Sequence, residues 1–191
     1  MKYIQELNLD FDKTICKKFI QESSIDFEKI KQKNKWHNNV LVTQELTDHI
    51  GPITQHLKDC VLILTLFPKN GINIHADGAA TRLDNTYNVS INIPVENCTE
   101  DTKTYFWDFD DERSIEYIHL EDLGTRDIVD KSQLKKKYEY IFKDTAVLFR
   151  NEYPHSVENK CEDLRLMLSW RFKPEYSWEE SIEICKQYNL L

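Results

Sequence analysis

The first third of the chain spaces its apolar positions as a helix does. In residues 10–21 an apolar residue recurs at every fourth position, which predicts one buried face of a helix. Residues 46–58 keep a helical spacing, and Gly51-Pro52 predicts a break inside this segment. We therefore expect residues 1–58 to form a helical N-terminal support.

From residue 60 onward the pattern becomes that of β-strands. Short apolar or alternating segments between turn residues predict strands at 60–67, 72–77, 86–95, 104–109, 114–120, 145–149, 155–159 and 164–172. Asn70-Gly71 stands between the first two of these segments, and Asn-Gly in such a place predicts a β-hairpin. Residues 130–141 fit either a short helix or a long insertion.

This order of elements predicts a mainly β fold with flanking helices. Cores of many short strands form sandwiches, barrels or jelly rolls, and a double-stranded β-helix (jelly roll, cupin-like) over residues 60–172 fits best, with the N-terminal helices bracing one sheet. A capping box of Ser177 and Glu180 predicts a closing helix over 177–191. No linker-like composition interrupts the chain, so we expect a single domain over residues 1–191.

His75 and Asp77 lie two positions apart at the end of a predicted strand. Residues i and i+2 of a strand face the same side, so the imidazole and the carboxylate project together. They supply two of the three ligands of a 2-His-1-carboxylate site, which binds Fe(II) and leaves positions open for other ligands. A surface ion pair explains the same two residues, and His119 with Glu121 repeats the H-x-[DE] spacing.

A third ligand decides between these two pairs. His155 is the remaining histidine in a β-strand context, although alone it would suit a structural role. The chain between His75 and His155 is long enough for several intervening strands, whereas the chain between His119 and His155 is too short. We therefore predict a metal site of His75, Asp77 and His155, with His119 at the surface or in a loop.

Arg165 interrupts an apolar strand, where a buried guanidinium needs an anion. Strand parity places Arg165 on one face with Met167, Ser169 and Arg171, and the large apolar residues on the other. Arg165 with the Ser169 hydroxyl suits a carboxylate, because the guanidinium can donate two parallel hydrogen bonds. The alternative is that Arg165 pairs with Glu162, Asp163 or another acid of the chain.

These residues resemble the motif of the Fe(II)/2-oxoglutarate-dependent dioxygenases. "IHADGAATRLDNTYNVSINIPV", "TYFWDF" and "AVLFRNEYPHSVENKCEDLRLMLSWRF" are similar in layout to the prolyl-hydroxylase-like and aspartyl/asparaginyl-β-hydroxylase-like branches, over about residues 60 to 172. The β-hydroxylase branch commonly lacks the acidic ligand, so this chain departs from that branch at Asp77. An aspartate there also argues against the halogenating relatives, in which a small residue makes room for halide.

The resemblance implies specific roles for these residues. His75, Asp77 and His155 would ligate Fe(II), and Arg165 would bind the distal carboxylate of 2-oxoglutarate. Reaction with O₂ would then give succinate and CO₂ and hydroxylate a C–H bond of the substrate. The further candidates for cofactor or substrate contacts are Ser169, Asn88 and Arg82, although exposed loop positions explain Asn88 and Arg82 equally well.

Composition narrows the function further. Lys and Arg total 25 against 33 Asp and Glu, and the resulting net charge of −8 argues against nucleic acid as the main partner. The five cysteines form no C-x-x-C pair, so we expect reduced thiols rather than a zinc site. With no signal-peptide pattern and no apolar run that could span a membrane, we expect a cytoplasmic protein without a membrane partner.

The sequence thus predicts a non-haem Fe(II)/2-oxoglutarate-dependent hydroxylase. Its substrate is open between an amino-acid side chain, a peptide and a small metabolite, and its oligomeric state is open as well. Two alternatives are another metal-dependent cupin and a non-enzymatic jelly roll for binding or assembly. The first usually has more histidines near the first ligand than "IHADGAATR" offers, and the second needs neither iron nor a buried arginine.

Overall fold

The computed structural model describes residues 3–32, 37–77, 89–110, 117–120, 125–128 and 130–191. The described chain is mainly β with flanking helices, as the sequence predicts. Its helices are α1 (Lys13–Glu22), α2 (Phe27–Gln32), α3 (Gln44–Ile50) and α4 (Trp178–Gln187). Its strands are β1 (Ile4–Glu6), β2 (His37–Leu41), β3 (Cys60–Leu66), β4 (Asn70–Asp77), β5 (Val89–Glu96), β6 (Thr102–Asp108), β7 (Tyr117–Leu120), β8 (Thr125–Ile128), β9 (Lys135–Tyr140), β10 (Val147–Arg150), β11 (His155–Asn159) and β12 (Arg165–Arg171).

The strands form two antiparallel sheets. The first sheet has the order β1-β10-β5-β12-β3-β2, and the second sheet has the order β7-β8-β4-β11-β6-β9. From β3 to β6, and again from β10 to β12, each strand lies in the opposite sheet from the one before it. The chain therefore crosses repeatedly between the sheets, and sequence neighbours are separated in space.

The helices cover the outer face of the first sheet. Buried residues of α1, α3 and α4 pack against the side of β12 that carries Leu166, Leu168 and Trp170. The caps at the helix starts satisfy backbone N–H groups that lack helical partners, and Ser177 and Glu180 form the predicted capping box of α4. The helix predicted over 46–58 divides at Gly51, whose φ of 86° favours glycine.

A second apolar cluster lies between the sheets. It brings residues of the second sheet, including Phe106, against the opposite face of the first sheet, including Phe149 and Met167. Met167 thus faces inward while Leu166 and Leu168 face the helices, as strand parity predicts. The space beside this cluster holds the candidate site.

The hairpin predicted at Asn70-Gly71 is wrong. Strand β3 lies in the first sheet and β4 in the second, so the turn between them joins two sheets rather than two paired strands. Both Asn70 and Gly71 already belong to β4. A Cβ atom on Gly71 would lie 3.0 Å from the carbonyl oxygen of Val157 in β11, so the glycine permits close strand contact rather than a turn.

Two further elements differ from the prediction. Residues 1–58 supply strands as well as helices, because β1 and β2 form the two edges of the first sheet. Residues 130–141, which were ambiguous, contain β9 at an edge of the second sheet. Within the described ranges, no helix has the length and apolar character needed to cross a membrane.

Candidate metal centre

His75 and His155 lie directly opposite each other on neighbouring strands. Strands β4 and β11 are antiparallel, and His155 pairs in register with His75. Residues paired in this way project to the same face of a sheet, and the two ring centroids are 4.4 Å apart. Both side chains are buried. Strand pairing thus brings together two imidazoles that are far apart in the sequence.

Each imidazole is oriented by a backbone carbonyl of its own strand region. Nδ1 of His75 lies 2.7 Å from the carbonyl oxygen of Asn73, and Nδ1 of His155 lies 2.9 Å from that of Tyr153. A carbonyl oxygen only accepts hydrogen bonds, so in the neutral ring Nδ1 carries the proton and Nε2 carries the lone pair. Metal-binding histidines are held by contacts of this kind.

Asp77 completes the group at the end of β4. One ligand atom from each of His75, Asp77 and His155 lies within 4.8 Å of the others, and Oδ1 of Asp77 is 3.4 Å from Nε2 of His75. In an octahedral site with bonds of about 2.1 Å, adjacent ligand atoms are about 3 Å apart. The three side chains therefore fit a divalent cation after a small contraction.

Protonation of the group also suits a metal. Burial lowers the pKa of His155 to about 4, helped by the nearby His75, so His155 is neutral near pH 7. Burial alone would raise the pKa of Asp77, but the charge of Arg171, together with the nearby His75, outweighs it and holds that pKa well below its usual range. Neutral imidazole and ionised carboxylate are the forms that ligate metals.

The surface ion pair considered for His75 and Asp77 is wrong, because these residues are only 8% and 6% exposed. The backbone N–H of Asp77 donates to the carbonyl oxygen of Asn151 at 3.0 Å. The Asn151 side chain in turn contacts the Ser90 hydroxyl at 3.1 Å. No local pattern of the sequence links residues so far apart, so this support could not be predicted.

Arg171 is the second partner of Asp77 that sequence analysis missed. Its Nη2 donates to Oδ2 of Asp77 at 2.6 Å, across from the first sheet to the second. Parity does place Arg171 on the inward face of β12, which was the available signal. The sequence carries no sign that its partner is Asp77.

Arg165 is buried, with 5% of its surface exposed. Its guanidinium carbon lies 5.3 Å from the centre of the Phe142 ring, and its Nη2 lies 2.6 Å from Sδ of Met167. Among the described residues no carboxylate pairs with Arg165, and its Nε has no hydrogen-bond partner. Glu162 pairs with Lys69 instead, so pairing of Arg165 with Glu162 or Asp163 is wrong.

One small cavity is lined by the candidate metal ligands and by Arg165, the candidate anion-binding residue. Its volume is about 40 Å³, and its lining includes His75, Asp77, His155, Arg165 and Ser169. A space of this size holds a few water-sized groups. A ligand that reaches Arg165 must therefore enter with a slender end.

Thr104 of β6 also lines this cavity. It is 1% exposed, and its hydroxyl has no hydrogen-bond partner among the described residues. A buried hydroxyl without a partner is costly, so Thr104 is a further polar group available to a ligand. The strand parity that turns Phe106 inward also turns Thr104 inward.

The other candidates are less informative. Arg82 and Asn88, predicted to contact cosubstrate or substrate, lie outside the described residues, as does Glu121. The backbone of His119 belongs to β7, and its side chain is outside the described part of the chain. Its predicted surface position therefore stays a prediction.

Four of the predicted site residues, His75, Asp77, His155 and Arg165, thus meet at one cavity with Ser169 beside them. Comparison of the chain with models of known protein families gives no match, and comparison with curated proteins gives none either. Function is therefore inferred from the chemistry of the site.

Proposed function

We propose that this chain is a non-haem Fe(II)/2-oxoglutarate-dependent oxygenase that hydroxylates an amino-acid side chain, a peptide or a small metabolite. One observation carries the proposal. A single buried cavity contains both a 2-His-1-carboxylate group and, within the described chain, an arginine that no carboxylate neutralises. The first suits a divalent cation and the second suits a carboxylate.

The fold supports the same proposal. We propose that the two-sheet core is a double-stranded β-helix (jelly roll, cupin-like), because consecutive strands from β3 to β6 and from β10 to β12 alternate between the sheets. This path brings β4 and β11 side by side, with their histidines facing the space between the sheets. Small barrels and rolls of this kind commonly enclose ligand sites.

His75, Asp77 and His155 would hold the Fe(II). Three protein ligands on one side leave the remaining positions to other ligands, and the Nδ1 contacts with Asn73 and Tyr153 keep both Nε2 atoms directed at the cation. When bound, Fe(II) together with 2-oxoglutarate and O₂ supplies the oxidising chemistry that hydroxylates a C–H bond and releases succinate and CO₂.

Arg165 would bind the distal carboxylate of 2-oxoglutarate. The guanidinium contacts Phe142 and Met167, in surroundings where a charge-assisted hydrogen bond is strong because water is scarce. Thr104 and Ser169 line the same cavity and offer hydroxyl groups to that carboxylate. The small cavity would admit the slender distal end of 2-oxoglutarate and exclude a bulky group.

Anaerobic titration with Fe(II) and 2-oxoglutarate tests the proposal. We expect a visible metal-to-ligand charge-transfer band in the wild type and in His119→Ala, and no band in His155→Ala. Arg165→Gln should weaken 2-oxoglutarate binding at least tenfold, since a charged hydrogen-bond donor at a carboxylate contributes about 1.5–3 kcal/mol. Succinate release across a panel of amino acids, peptides and metabolites then identifies the substrate.

Other outcomes would point to the alternatives. Metal binding that ignores 2-oxoglutarate would indicate another metal-dependent cupin. Absence of metal binding in the wild type would indicate a non-enzymatic jelly roll and end the proposal.

A further inference from the structure

The two oxygens of Asp77 have different neighbours. Oδ2 accepts a hydrogen bond from Nη2 of Arg171 at 2.6 Å, while Oδ1 lies 3.4 Å from Nε2 of His75. The side chains of Arg171 and Asp77 are 12% and 8% exposed, so the ion pair is shielded from water. Oδ1 thus lies on the side of His75, another candidate metal ligand, and Oδ2 is held by the guanidinium of Arg171.

This ion pair changes the total charge around the three candidate ligands, His75, Asp77 and His155. Metal-binding imidazoles are neutral, so Asp77 provides the negative charge of the three ligands. Arg171 offsets that charge, and Arg165 adds a second positive charge to the same cavity. Counted over the described residues, a divalent cation alone would therefore enter surroundings with net positive charge, in a low-dielectric interior where such repulsion is strong.

A dicarboxylate ligand would offset this repulsion. One carboxylate next to the cation and one at Arg165 would supply negative charge at both ends of the cavity. Such a ligand offsets the charges of the cation and of both arginines more fully than a monocarboxylate. Cation and dicarboxylate then favour each other, and thermodynamic linkage requires the same factor in both directions.

We propose that Arg171 makes divalent-cation binding at His75, Asp77 and His155 depend on a dicarboxylate co-ligand. This inference rests on the proposed function and adds a form of regulation to it. Arg171 weakens the binding of the cation alone, and the dicarboxylate restores it. Without the dicarboxylate the site stays largely empty of metal, which limits uncoupled redox chemistry of a loosely held Fe(II).

A purely structural role for Arg171 predicts a different outcome. If Arg171 only positions Asp77, its removal weakens cation binding with and without dicarboxylate by the same factor. If its charge matters, Arg171→Gln keeps an N–H donor near Oδ2 but removes the repulsion. Cation binding without dicarboxylate then becomes tighter, and the coupling decreases.

A titration with Mn²⁺ distinguishes the two cases, because bound and free Mn²⁺ differ in their electron paramagnetic resonance signal. The measurement needs no catalytic turnover. Dissociation constants are measured for the wild type, Arg171→Gln and Arg171→Lys, each with and without saturating 2-oxoglutarate. In the wild type we expect 2-oxoglutarate to tighten Mn²⁺ binding by roughly tenfold or more, the upper part of the usual range of coupling. Arg171→Lys, which keeps the charge, should behave in the same way.

In Arg171→Gln we expect tighter Mn²⁺ binding without 2-oxoglutarate, by roughly tenfold, and coupling below about threefold. Weaker Mn²⁺ binding by the same factor in both conditions would overturn the inference. Wild-type Mn²⁺ binding that 2-oxoglutarate does not affect would also overturn it, even if Arg171→Gln fails to fold. Absence of Mn²⁺ binding in the wild type under both conditions would overturn this inference and the proposed function together.

Discussion

At the scale of single residues, the candidate site depends on contacts that cross between distant parts of the chain. The pair His75 and Asp77 and the inward Arg165 could be identified from spacing and parity. Arg171 as partner of Asp77 could not, nor could the support of Asn151 beneath it. These contacts follow from how two sheets face each other, which no local pattern records.

The protonation of His155 gives a pH-dependent prediction for the metal-free protein. Burial lowers the pKa of His155 from 6.5 to about 4, so between these values the unfolded chain binds a proton that the folded chain does not. Stability therefore falls as the pH decreases from 6.5 to 4, by on the order of 3 kcal/mol. The lowered pKa of Asp77 adds a loss only below 3.8.

Urea unfolding with a chelator at several pH values between 7 and 4 measures this dependence. His155→Gln should flatten it over the same interval, because the variant has no titrating group at this position. Equal slopes in the two proteins would contradict the assignment of the effect to His155.

Replacing each of the two inward arginines of β12 by methionine should change the free energy of unfolding in opposite directions. Arg165 is a buried cation that no described carboxylate neutralises, so Arg165→Met should raise ligand-free stability by about 1–3 kcal/mol. Arg171→Met instead leaves the buried Asp77 without this partner and should cost about 3–5 kcal/mol.

Thermal and urea unfolding of both variants measure these two changes in stability. The gain in Arg165→Met should accompany a loss of 2-oxoglutarate binding, since the group that destabilises the empty protein is the group that would bind the ligand. A loss of stability in Arg165→Met would show that the guanidinium is already satisfied.

At the scale of elements, the pairing of β4 with β11 sets the geometry of the candidate metal centre. Short apolar or alternating segments between turn residues predicted both strands, and residues 155–159 match β11 in both bounds. The predicted hairpin failed because Asn-Gly describes a local turn, whereas Gly71 serves a contact with a strand far along the chain. Strand existence was therefore readable from the sequence, and strand partnership was not.

Gly71→Ala tests this contact. The added methyl group would lie 3.0 Å from the backbone oxygen of Val157, closer than a carbon atom normally approaches, so β4 and β11 must separate locally. We expect a loss of about 1–3 kcal/mol in the free energy of unfolding.

Gly51→Ala is the matched control, because a Cβ there meets no atom within 4 Å and the cost comes from its positive φ alone. Only Gly71→Ala should also weaken Mn²⁺ binding, since His75 and His155 lie on the two strands that separate. Equal Mn²⁺ affinity in both variants would show that the disturbance does not reach the histidines.

At the scale of the whole molecule, the two sheets differ in what protects them. Helices cover the first sheet, whereas β9 is an edge of the second sheet and carries the exposed Lys135, Lys136 and Lys137. Charged lysines on an edge strand discourage pairing with another chain. The sheet order places these lysines at an unpaired edge, which explains why charge is useful there.

Replacing these three lysines by threonine should cause concentration-dependent association, because the edge keeps its strand preference and loses its charges. Size-exclusion chromatography with light scattering measures the effect. The control replaces Lys13, Lys17 and Lys18 of α1 by glutamine, which gives the same change in net charge away from any sheet edge. Association of both variants to the same extent would indicate net charge rather than the edge.

The described supports of the three proposed ligands come from the strands and the turns next to them. His75 and His155 are fixed by strand pairing and nearby carbonyls, and Asp77 is fixed by Arg171 and Asn151. A cation held by these three side chains would therefore join β4 to β11, so its binding energy would add to the pairing of two strands that lie far apart in the chain.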